Sequence, residues 1–348
     1  MFINAIGHYI PKKRVPNDYF LPVNGLTDEW IFQRTGIKTR AWATEHETID
    51  YMCIEAVRRS IAQLPYDISD VDLIVFASYS PSDTVATTAH IVQREFQITS
   101  AKAFYLSSAC SSAMNAMEII QLFFSGGRAS KALLLSADRN TSYYNPQDPK
   151  AGHLWGDAAT AFFFSKERAG SAEPYMVDIV THGLGHVGKG KEGVYLDPKK
   201  EGIQMHNGKD VFTQACTYIA RCAEEVTGQN GYSIADLTYF IAHQANMRIV
   251  NHVIKQLGIP EEKSLTNISE LGNTGSVSSM LIFAQSYDRF HFSCFYKYFF
   301  RISFFRVEAS SIIFCTSAIR TSIFSISATI FCCSEREGSG IDKEDNNV

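Results

Sequence analysis

Apolar runs that alternate with amphipathic helical segments restrict the fold of this chain more than any other feature. The segment at 71–80 (VDLIVFASYS) is a continuous apolar run bounded by turn residues, as expected of a strand buried on both faces of a parallel sheet. The segment before it, 49–64, carries apolar residues at helical spacing. Further strands are predicted at 2–9, 103–106 and 131–138, and 154–164 is predicted to be a glycine turn followed by a strand. A helix is predicted to start within 27–33, and further helices are predicted at 88–96 and from residue 111 onward. The alternation predicts βαβ units and an α/β fold.

A second round of strands and helices follows, so the chain is predicted to have two halves of similar construction. After a strand at 175–182, the pattern predicts a strand at 237–242 and helices at 208–226, 246–257 and 278–289. The 348 residues suffice for two ordinary domains or for one large fold made from two similar halves. No linker or low-complexity stretch separates the two halves.

Composition excludes several classes of function. A formal net charge of −4 gives no general affinity for nucleic acid or for an anionic membrane. The eight cysteines lack the CxxC-type spacing of metal sites, so reduced thiols and a cytoplasmic protein are expected. The first residues lack a charged region followed by an apolar run, so no signal peptide is expected there.

One cysteine lies where a strand passes directly into a helix. Residues 103–117 (AFYLSSACSSAMNAM) predict a short strand, a turn of small residues, Cys110, and a helix that begins at once. Unpaired backbone N–H groups and the positive end of the helix dipole favour a thiolate at this position. The competing interpretation is a buried, inert thiol, because free cysteine is among the most buried residue types.

Two further polar residues occupy comparable positions. His243 ends an apolar strand, and strand carboxyl ends are where sites gather in parallel sheets. Asn273 lies in the glycine-containing loop GNTG before a helix. Taken singly, each residue is better explained by a structural role: His243 as a histidine that ends its strand with a satisfied hydrogen bond, and Asn273 as an ordinary turn asparagine. A cysteine, a histidine and an asparagine in such positions together suit nucleophilic thiol chemistry.

Six short motifs occur in order along about the first 290 residues. They are DEWIFQRTGIKTR (28–40), SSACSS (107–112), WGDAATA (155–161), MHNGKDVF (205–212), HQANMRI (243–249) and GNTGSVSS (272–279). In order and spacing they resemble the β-ketoacyl-acyl-carrier-protein synthase III family of the thiolase-like superfamily. Six ordered motifs are far more specific than any one of them alone.

The resemblance implies a five-layer αβαβα fold built from two similar halves. The half at 1–170 would carry the nucleophile, and the half at 171–289 the histidine and asparagine. It implies that Cys110 takes an acyl group from an acyl-CoA primer and that malonyl-acyl-carrier-protein then loses carbon dioxide and attacks the acyl-cysteine. His243 and Asn273 would donate hydrogen bonds to the thioester oxygen as the enolate forms. The thioesters are substrates, and neither a metal nor a further cofactor is implied.

The resemblance also assigns substrate contacts. Trp30 and Arg34 match the positions that contact the CoA adenine, although helix packing and surface charge would explain them equally well without the motif. Met205, Gly208 and Asn246 match positions that line the pantetheine tunnel.

Two further positions concern protein partners. Arg248 matches a basic residue where the acidic carrier protein docks, the competing interpretation being a solvated helix face. The family forms homodimers, and Val85 matches a position at which the partner subunit closes the acyl pocket, often with a bulky aromatic. The smaller side chain leads to the hypothesis that this chain accepts primers longer or bulkier than acetyl.

The resemblance stops at about residue 290. Residues 290–337 contain neither glycine nor proline, and the stretch shows no clean period of a strand or a helix. We therefore expect 290–348 to be an aberrant tail, our hypothesis being out-of-frame translation. A membrane-spanning tail is disfavoured because Arg320 lies inside its most apolar part.

An altered ending has consequences for the second half. The last strands expected from the family would be missing, together with a glycine loop whose backbone N–H would join that of Cys110 in an oxyanion hole. We therefore expect an incomplete, poorly folded C-terminal half and weak or no activity. The alternatives are an acyltransferase of the same fold without decarboxylation and a defective paralogue that only pairs with an active subunit. The sequence does not choose between fatty-acid initiation and a polyketide-type pathway.

Overall fold

The N-terminal half contains seven strands and five helices. The computed structural model describes residues 1–170, 173–198, 202–298, 310–320 and 323–333. The elements of the first half are β1 (Phe2–Tyr9), β2 (Lys13–Pro16), α1 (Leu21–Asn24), α2 (Asp28–Thr35), β3 (Thr39–Trp42), α3 (Ile49–Arg58), β4 (Leu73–Ala77), α4 (Thr88–Glu95), β5 (Lys102–Leu106), α5 (Ser112–Ser125), β6 (Lys131–Arg139) and β7 (Asp157–Ser165).

The second half follows without a separating linker. Its elements are β8 (Tyr175–Gly183), β9 (Tyr195–Asp197), β10 (Gly202–Gln204), α6 (Gly208–Gln229), β11 (Tyr239–Ala242), α7 (Met247–Leu257), α8 (Ile268–Leu271), α9 (Ser278–Tyr298), β12 (Ser310–Arg320) and β13 (Ile323–Cys333).

Nine strands form one sheet in the order β11-β12-β13-β8-β1-β7-β6-β4-β5. Between β8 and β1 the ladder of the described residues has a single pair, Phe2 with Tyr175. The sheet is therefore best understood as a five-stranded part, β5-β4-β6-β7-β1, and a four-stranded part, β8-β13-β12-β11. Each part belongs to one half of the chain.

The two parts have the same topology. In chain order the strands of the first part are β1, β4, β5, β6 and β7. The first of them, β1, pairs with the last, β7, and β4 lies between β5 and β6. In the second half, β8 pairs with the last strand, and β11 pairs with the penultimate strand. A parallel bridge between Phe240 and Ser264 marks the position of a third strand beside β11. Two similar halves are thus present although no sequence repeat reveals them.

The helices complete five layers. Helices α3 and α4 cover the outer face of the first sheet part, and α6 and α7 cover the outer face of the second. Helices α5 and α9 lie between the two sheet parts, where Phe283 of α9 stacks on Phe162 of β7 with ring centroids 6.0 Å apart. The order αβαβα agrees with the prediction. It places both central helices between the two sheet parts, and they begin close to Cys110 and Asn273.

The structure differs from the sequence analysis in the C-terminal segment. Residues 310–320 and 323–333 form two strands, β12 parallel to β11 and β13 antiparallel to β8. They occupy the places of the strands that were expected to be missing. The sequence contains a signal for β13 that the earlier interpretation overlooked, because apolar and polar residues alternate over 324–330 (FSISATI). Their connection at 321–322, where a glycine loop was expected, lies outside the described residues.

Among the helices of the described residues, none combines the length and the apolar composition needed to cross a membrane.

Candidate active site

Cys110 lies in the short connection between β5 and α5. Helix α5 begins two residues later at Ser112 and spans 14 residues in the central layer. The residue before the cysteine, Ala109, has φ of 52°, a left-handed conformation that costs a non-glycine residue about 1–2 kcal/mol. This sharp turn brings the half-buried Cys110 to the N-terminal end of a buried helix, where the dipole favours an anion.

Two other cysteines are unsuited to nucleophilic work. Burial raises the pKa of the Cys53 thiol well above its ordinary value, and burial raises that of Cys216 to about 11. Both side chains are buried within helices, Cys53 in α3 and Cys216 in α6. A thiolate at neutral pH is therefore disfavoured at these two positions.

His243 directly follows β11 and is held by Ser278. The distance from His243 Nδ1 to Ser278 Oγ is 2.7 Å, and the same hydroxyl oxygen accepts a hydrogen bond from the Gln244 N–H at 3.2 Å. In the arrangement in which the Ser278 hydroxyl donates to Nδ1, the ring hydrogen lies on Nε2. Burial lowers the pKa of His243 to about 4, so the imidazole is neutral at pH 7.

The amide of Asn273 is oriented by its own loop. Its Oδ1 accepts a hydrogen bond from the Gly275 N–H at 3.0 Å, which leaves the NH₂ group as the part of the amide directed away from that turn. The backbone is fixed as well, since Asn273 N–H donates to Leu154 O and Gly156 N–H donates to Asn273 O. Both His243 and Asn273 are only 3% exposed.

Cys110, His243 and Asn273 line one pocket of about 80 Å³. The rest of the wall is mostly apolar or aromatic and comes from both halves and from the β9–β10 hairpin: Tyr79, Ala109, Trp155, Val194, Tyr195, Leu196, Ile203, Met205, Val211, Ala215, Ala245 and Ile249. A thiol and two neutral hydrogen-bond donors thus share a narrow cavity that suits a slender, largely apolar chain.

Met205 is the one predicted tunnel residue that lies in this wall. Gly208 is the first residue of α6, and a side chain there would lie 3.4 Å from Met205 Sδ. Asn246 caps α7, its Oδ1 accepting the Arg248 N–H at 2.8 Å, which gives it a structural role outside the pocket wall. Arg248 itself is exposed, with its guanidinium 5.8 Å from the Phe212 ring centroid.

Trp30 and Arg34 form a stacked pair on α2. The guanidinium of Arg34 lies 4.3 Å from the centroid of the Trp30 ring, and the ring contacts His153 edge-on. Neither residue belongs to the pocket that contains Cys110. Val85 lies apart from that pocket too, with 87% of its side chain exposed in the loop after β4.

Sequence reasoning missed the aromatic and hydroxyl groups around the three polar residues. Trp155 lies in the pocket wall and is the first residue of the WGDAATA motif, so the motif itself was an available signal. Ser278 supports His243 from 35 residues away, and Asp138 binds the loop of Asn273 from 138 residues away. No local pattern indicates pairs so distant in the chain.

Two family descriptions match the chain. The description 3-oxoacyl-[acyl-carrier-protein] synthase III matches residues 104–183, and that of its C-terminal part matches residues 228–292. β-Ketoacyl-[acyl-carrier-protein] synthase III of Methylococcus capsulatus is 31% identical over 293 residues, which cover 82% of this chain and 89% of the relative. The chain belongs to the β-ketoacyl-acyl-carrier-protein synthase III family. It is therefore an acyltransferase of the condensing type.

Other members of this family agree with that assignment. The relative from Staphylococcus saprophyticus is 30% identical over 283 residues, covering 81% of this chain and 88% of its own length. The crystal structure of 3-oxoacyl-[acyl-carrier-protein] synthase III from Aquifex aeolicus is 26% identical and superposes with a TM-score of 0.82, covering 95% of this chain and 99% of the other. The C-terminal family match ends at residue 292, close to the point where the motifs end.

Proposed function

We propose that Cys110, His243 and Asn273 catalyse a decarboxylative Claisen condensation in two half-reactions. The observation that carries the proposal is that these side chains, which are widely separated in sequence, line the same pocket. In the first half-reaction, the Cys110 thiolate attacks the thioester carbonyl of an acyl-CoA primer. The carbon–sulfur bond to CoA breaks, and CoA leaves as a thiolate that takes a proton from water.

In the second half-reaction, malonyl-acyl-carrier-protein enters the same pocket. Its carboxylate leaves as carbon dioxide, and the electron pair forms an enolate at the thioester. The enolate carbon attacks the acyl-cysteine carbonyl, forms the new carbon–carbon bond and releases the Cys110 thiolate. The product is a β-ketoacyl-acyl-carrier-protein, and the enzyme returns to its starting state.

Neutral donors suit the oxygen on which the enolate charge develops. His243 is neutral at pH 7 because burial lowers its pKa, and Ser278 leaves Nε2–H as its donor. The Gly275 N–H holds Asn273 Oδ1, so the NH₂ group is the part available to donate. Donors fixed before reaction need no reorganisation as charge develops, which is why they stabilise the transition state.

Three groups of residues outside the triad contact the substrates. The stacked Trp30 and Arg34 offer an aromatic face and a cation for the adenine end of CoA. Met205 and Gly208 flank the passage for pantetheine. The exposed Arg248, on α7 just beyond the pocket, offers a cation to the acidic carrier protein.

The working enzyme is a homodimer in this proposal. The support is an exposed valine, Val85, in the loop whose family counterpart closes the partner's acyl pocket. A reduced catalytic thiol is in keeping with a cytoplasmic enzyme.

The test separates the two half-reactions. The full-length protein is incubated with acetyl-, butyryl-, hexanoyl- and octanoyl-CoA, and the intact mass reports acylation. Carbon dioxide released from malonyl-acyl-carrier-protein labelled in its carboxylate reports the second step. Cys110→Ala should abolish acylation, whereas Cys216→Ala should retain it.

Asn273→Ala should lower carbon dioxide release by about 10²–10³-fold while leaving acylation largely intact. Its matched control is Asn267→Ala, since that side chain binds Gln285 instead of facing the pocket. If Asn273→Ala also abolishes acylation, the roles are misassigned. Acylation without carbon dioxide release in the wild type would favour a non-decarboxylating acyltransferase, and dimers without acylation would favour a defective paralogue.

A further inference from the structure

The carboxylate of Asp138 connects the two halves of the active site. Asp138 lies near the end of β6, is fully buried and accepts six hydrogen bonds. Its Oδ1 accepts four hydrogen bonds from the loop after β4. Two come from hydroxyls, Ser78 Oγ at 2.9 Å and Ser80 Oγ at 2.7 Å, and two come from backbone N–H groups, that of Tyr79 at 3.1 Å and that of Ser80 at 3.2 Å. Its Oδ2 accepts from Ser276 alone among the described residues, from the N–H at 2.6 Å and from the hydroxyl at 2.7 Å.

The two oxygens therefore hold two different parts of the site. The loop on the Oδ1 side is joined to the strand that leads to Cys110, because Ser78 N–H donates to Leu106 O and Tyr105 Oη donates to Ser78 O. Ser276, on the Oδ2 side, lies three residues after Asn273. One buried carboxylate thus bridges the nucleophile's strand and the loop that carries the amide.

The loop that carries Asn273 runs close to the Asp138 carboxylate. Gly275 has φ of +71°, and a Cβ there would lie 2.4 Å from Asp138 Oδ2 and 2.7 Å from Tyr79 Oη. Asn140, two residues after Asp138, adds a contact from its Nδ2 to Asn273 O at 3.4 Å. The Asn273 loop is therefore seated against the end of β6, with Asp138 as its charged contact.

We propose that Asp138 is a positioning residue that sets the place of the Asn273 amide relative to Cys110. Decarboxylation uses the Asn273 amide, whereas acylation uses the Cys110 thiolate. The Asp138 carboxylate therefore supports decarboxylation more than acylation. This proposal rests on the roles of Cys110 and Asn273 given above.

Asp138→Asn tests it with almost no change of shape. The Asn side chain has one oxygen and one NH₂ group in place of two oxygens. Backbone N–H groups cannot turn round, and the Oδ1 side has two of them, from Tyr79 and Ser80, against one from Ser276. The oxygen is therefore expected on the Oδ1 side, with the NH₂ group facing the Ser276 N–H and pushing the Asn273 loop away.

The expected result is a change in the ratio of the rate of carbon dioxide release to the rate of Cys110 acylation. Asp138→Asn should lower carbon dioxide release from malonyl-acyl-carrier-protein by about 10²-fold, as a displacement of about 1 Å can, and should leave acylation of Cys110 by acyl-CoA little changed. Ser276→Ala, which removes the hydroxyl and keeps the N–H, should lower the same ratio by a smaller factor. Ser78→Ala is the matched variant, a buried serine on the same carboxylate but on its other oxygen, and should preserve the ratio.

Each remaining outcome has a definite meaning. If Asp138→Asn lowers both half-reactions equally, in parallel with a loss of thermal stability, the residue is merely structural and the proposal is overturned. Equal effects of Ser276→Ala and Ser78→Ala on the ratio would overturn it too. If the wild-type protein takes up no acyl group at Cys110, the proposed function itself fails, which the Asp138 variants cannot mimic.

Discussion

The hydroxyl of Ser278 lies 2.7 Å from Nδ1 of His243, within hydrogen-bond distance of that ring nitrogen. Ser278 begins α9, the central helix of the second half, whereas His243 directly follows β11 of the same half. A hydroxyl that donates to Nδ1 keeps the ring hydrogen on Nε2, and the Nε2–H is then the donor available to substrate.

Ser278→Ala should lower carbon dioxide release while leaving acylation of Cys110 largely intact. Without the hydroxyl, the Nδ1–H tautomer becomes accessible and part of the population loses its Nε2 donor, so we expect a loss of about tenfold, smaller than for complete removal of a donor. Rates of the two half-reactions on purified protein provide the measurement. Ser278→Thr, which keeps a hydroxyl, should restore most of the rate.

Ser279→Ala is the matched control for this substitution. Ser279 is the next residue of the helix and is equally buried, but its hydroxyl has no hydrogen-bond partner among the described residues. It should change neither half-reaction. Equal losses in Ser278→Ala and Ser279→Ala would contradict the tautomer argument.

The buried imidazole of His243 predicts a loss of stability in acid. Burial lowers its pKa to about 4, whereas the unfolded chain titrates near the ordinary value of 6.5. The unfolded state therefore binds the proton first, so this stability is fully present above pH 6.5 and is lost as the pH falls to 4. The loss amounts to about 3 kcal/mol in the free energy of unfolding.

Denaturant unfolding between pH 4 and 7 measures this effect. His243→Gln should make the free energy of unfolding less dependent on pH in this range. His153→Gln should do the same, since burial also lowers the pKa of His153 to about 4. Only His243→Gln should reduce carbon dioxide release, because His153 lies outside the pocket. An unchanged pH dependence in His243→Gln would show that this imidazole is not buried and neutral.

Much of the fold was predictable because central strands such as β4, β6 and β7 are buried on both faces. The predicted strand at 2–9 matches β1, and that at 131–138 matches β6 to within one residue. The helix predicted over 49–64 ends earlier, at Arg58. The Ser60 hydroxyl donates back to the Ala56 and Val57 carbonyls there, and a short 3₁₀ turn follows. Apolar spacing continues through this break, so periodicity alone does not detect it.

The site was predictable only in part, for a different reason. Cys110, His243 and Asn273 stand at element boundaries, which local patterns identify. The left-handed turn at Ala109 has no local signature, since alanine seldom adopts it. The contacts of Asp138 with Ser276 form only once the two halves are folded together.

Val85→Phe should narrow the range of primers toward acetyl-CoA. If a partner subunit's loop closes the acyl pocket, a larger side chain at this exposed position fills space that a longer primer would use. Intact-mass measurements with acetyl-, butyryl-, hexanoyl- and octanoyl-CoA report the preference. Leu122→Phe, which enlarges another exposed apolar residue, should leave the preference unchanged. A wild-type enzyme that accepts acetyl-CoA alone would contradict the hypothesis.

The origin of the C-terminal segment is tested by its coding DNA. If 290–348 is read out of frame, a correction of one base near codon 290 should restore a glycine-rich ending of the kind the family carries. The hypothesis fails if no frame gives such an ending.

Proline substitutions in β12, which remove backbone hydrogen-bond donors, test whether this strand contributes to stability. Ile313 pairs with Phe240 of β11 on one side and with Ile330 of β13 on the other, so its main chain lies inside the sheet. Ile313→Pro removes an N–H donor from the ladder and should lower the free energy of unfolding by about 1–3 kcal/mol for the lost bond alone. Ser310→Pro, at the first residue of the strand, should cost much less because proline is tolerated there. If both variants unfold like the wild type, β12 does not contribute to the stability of the second half. A selective loss in Ile313→Pro would show that this unusual ending replaces the strands that the motifs led us to expect.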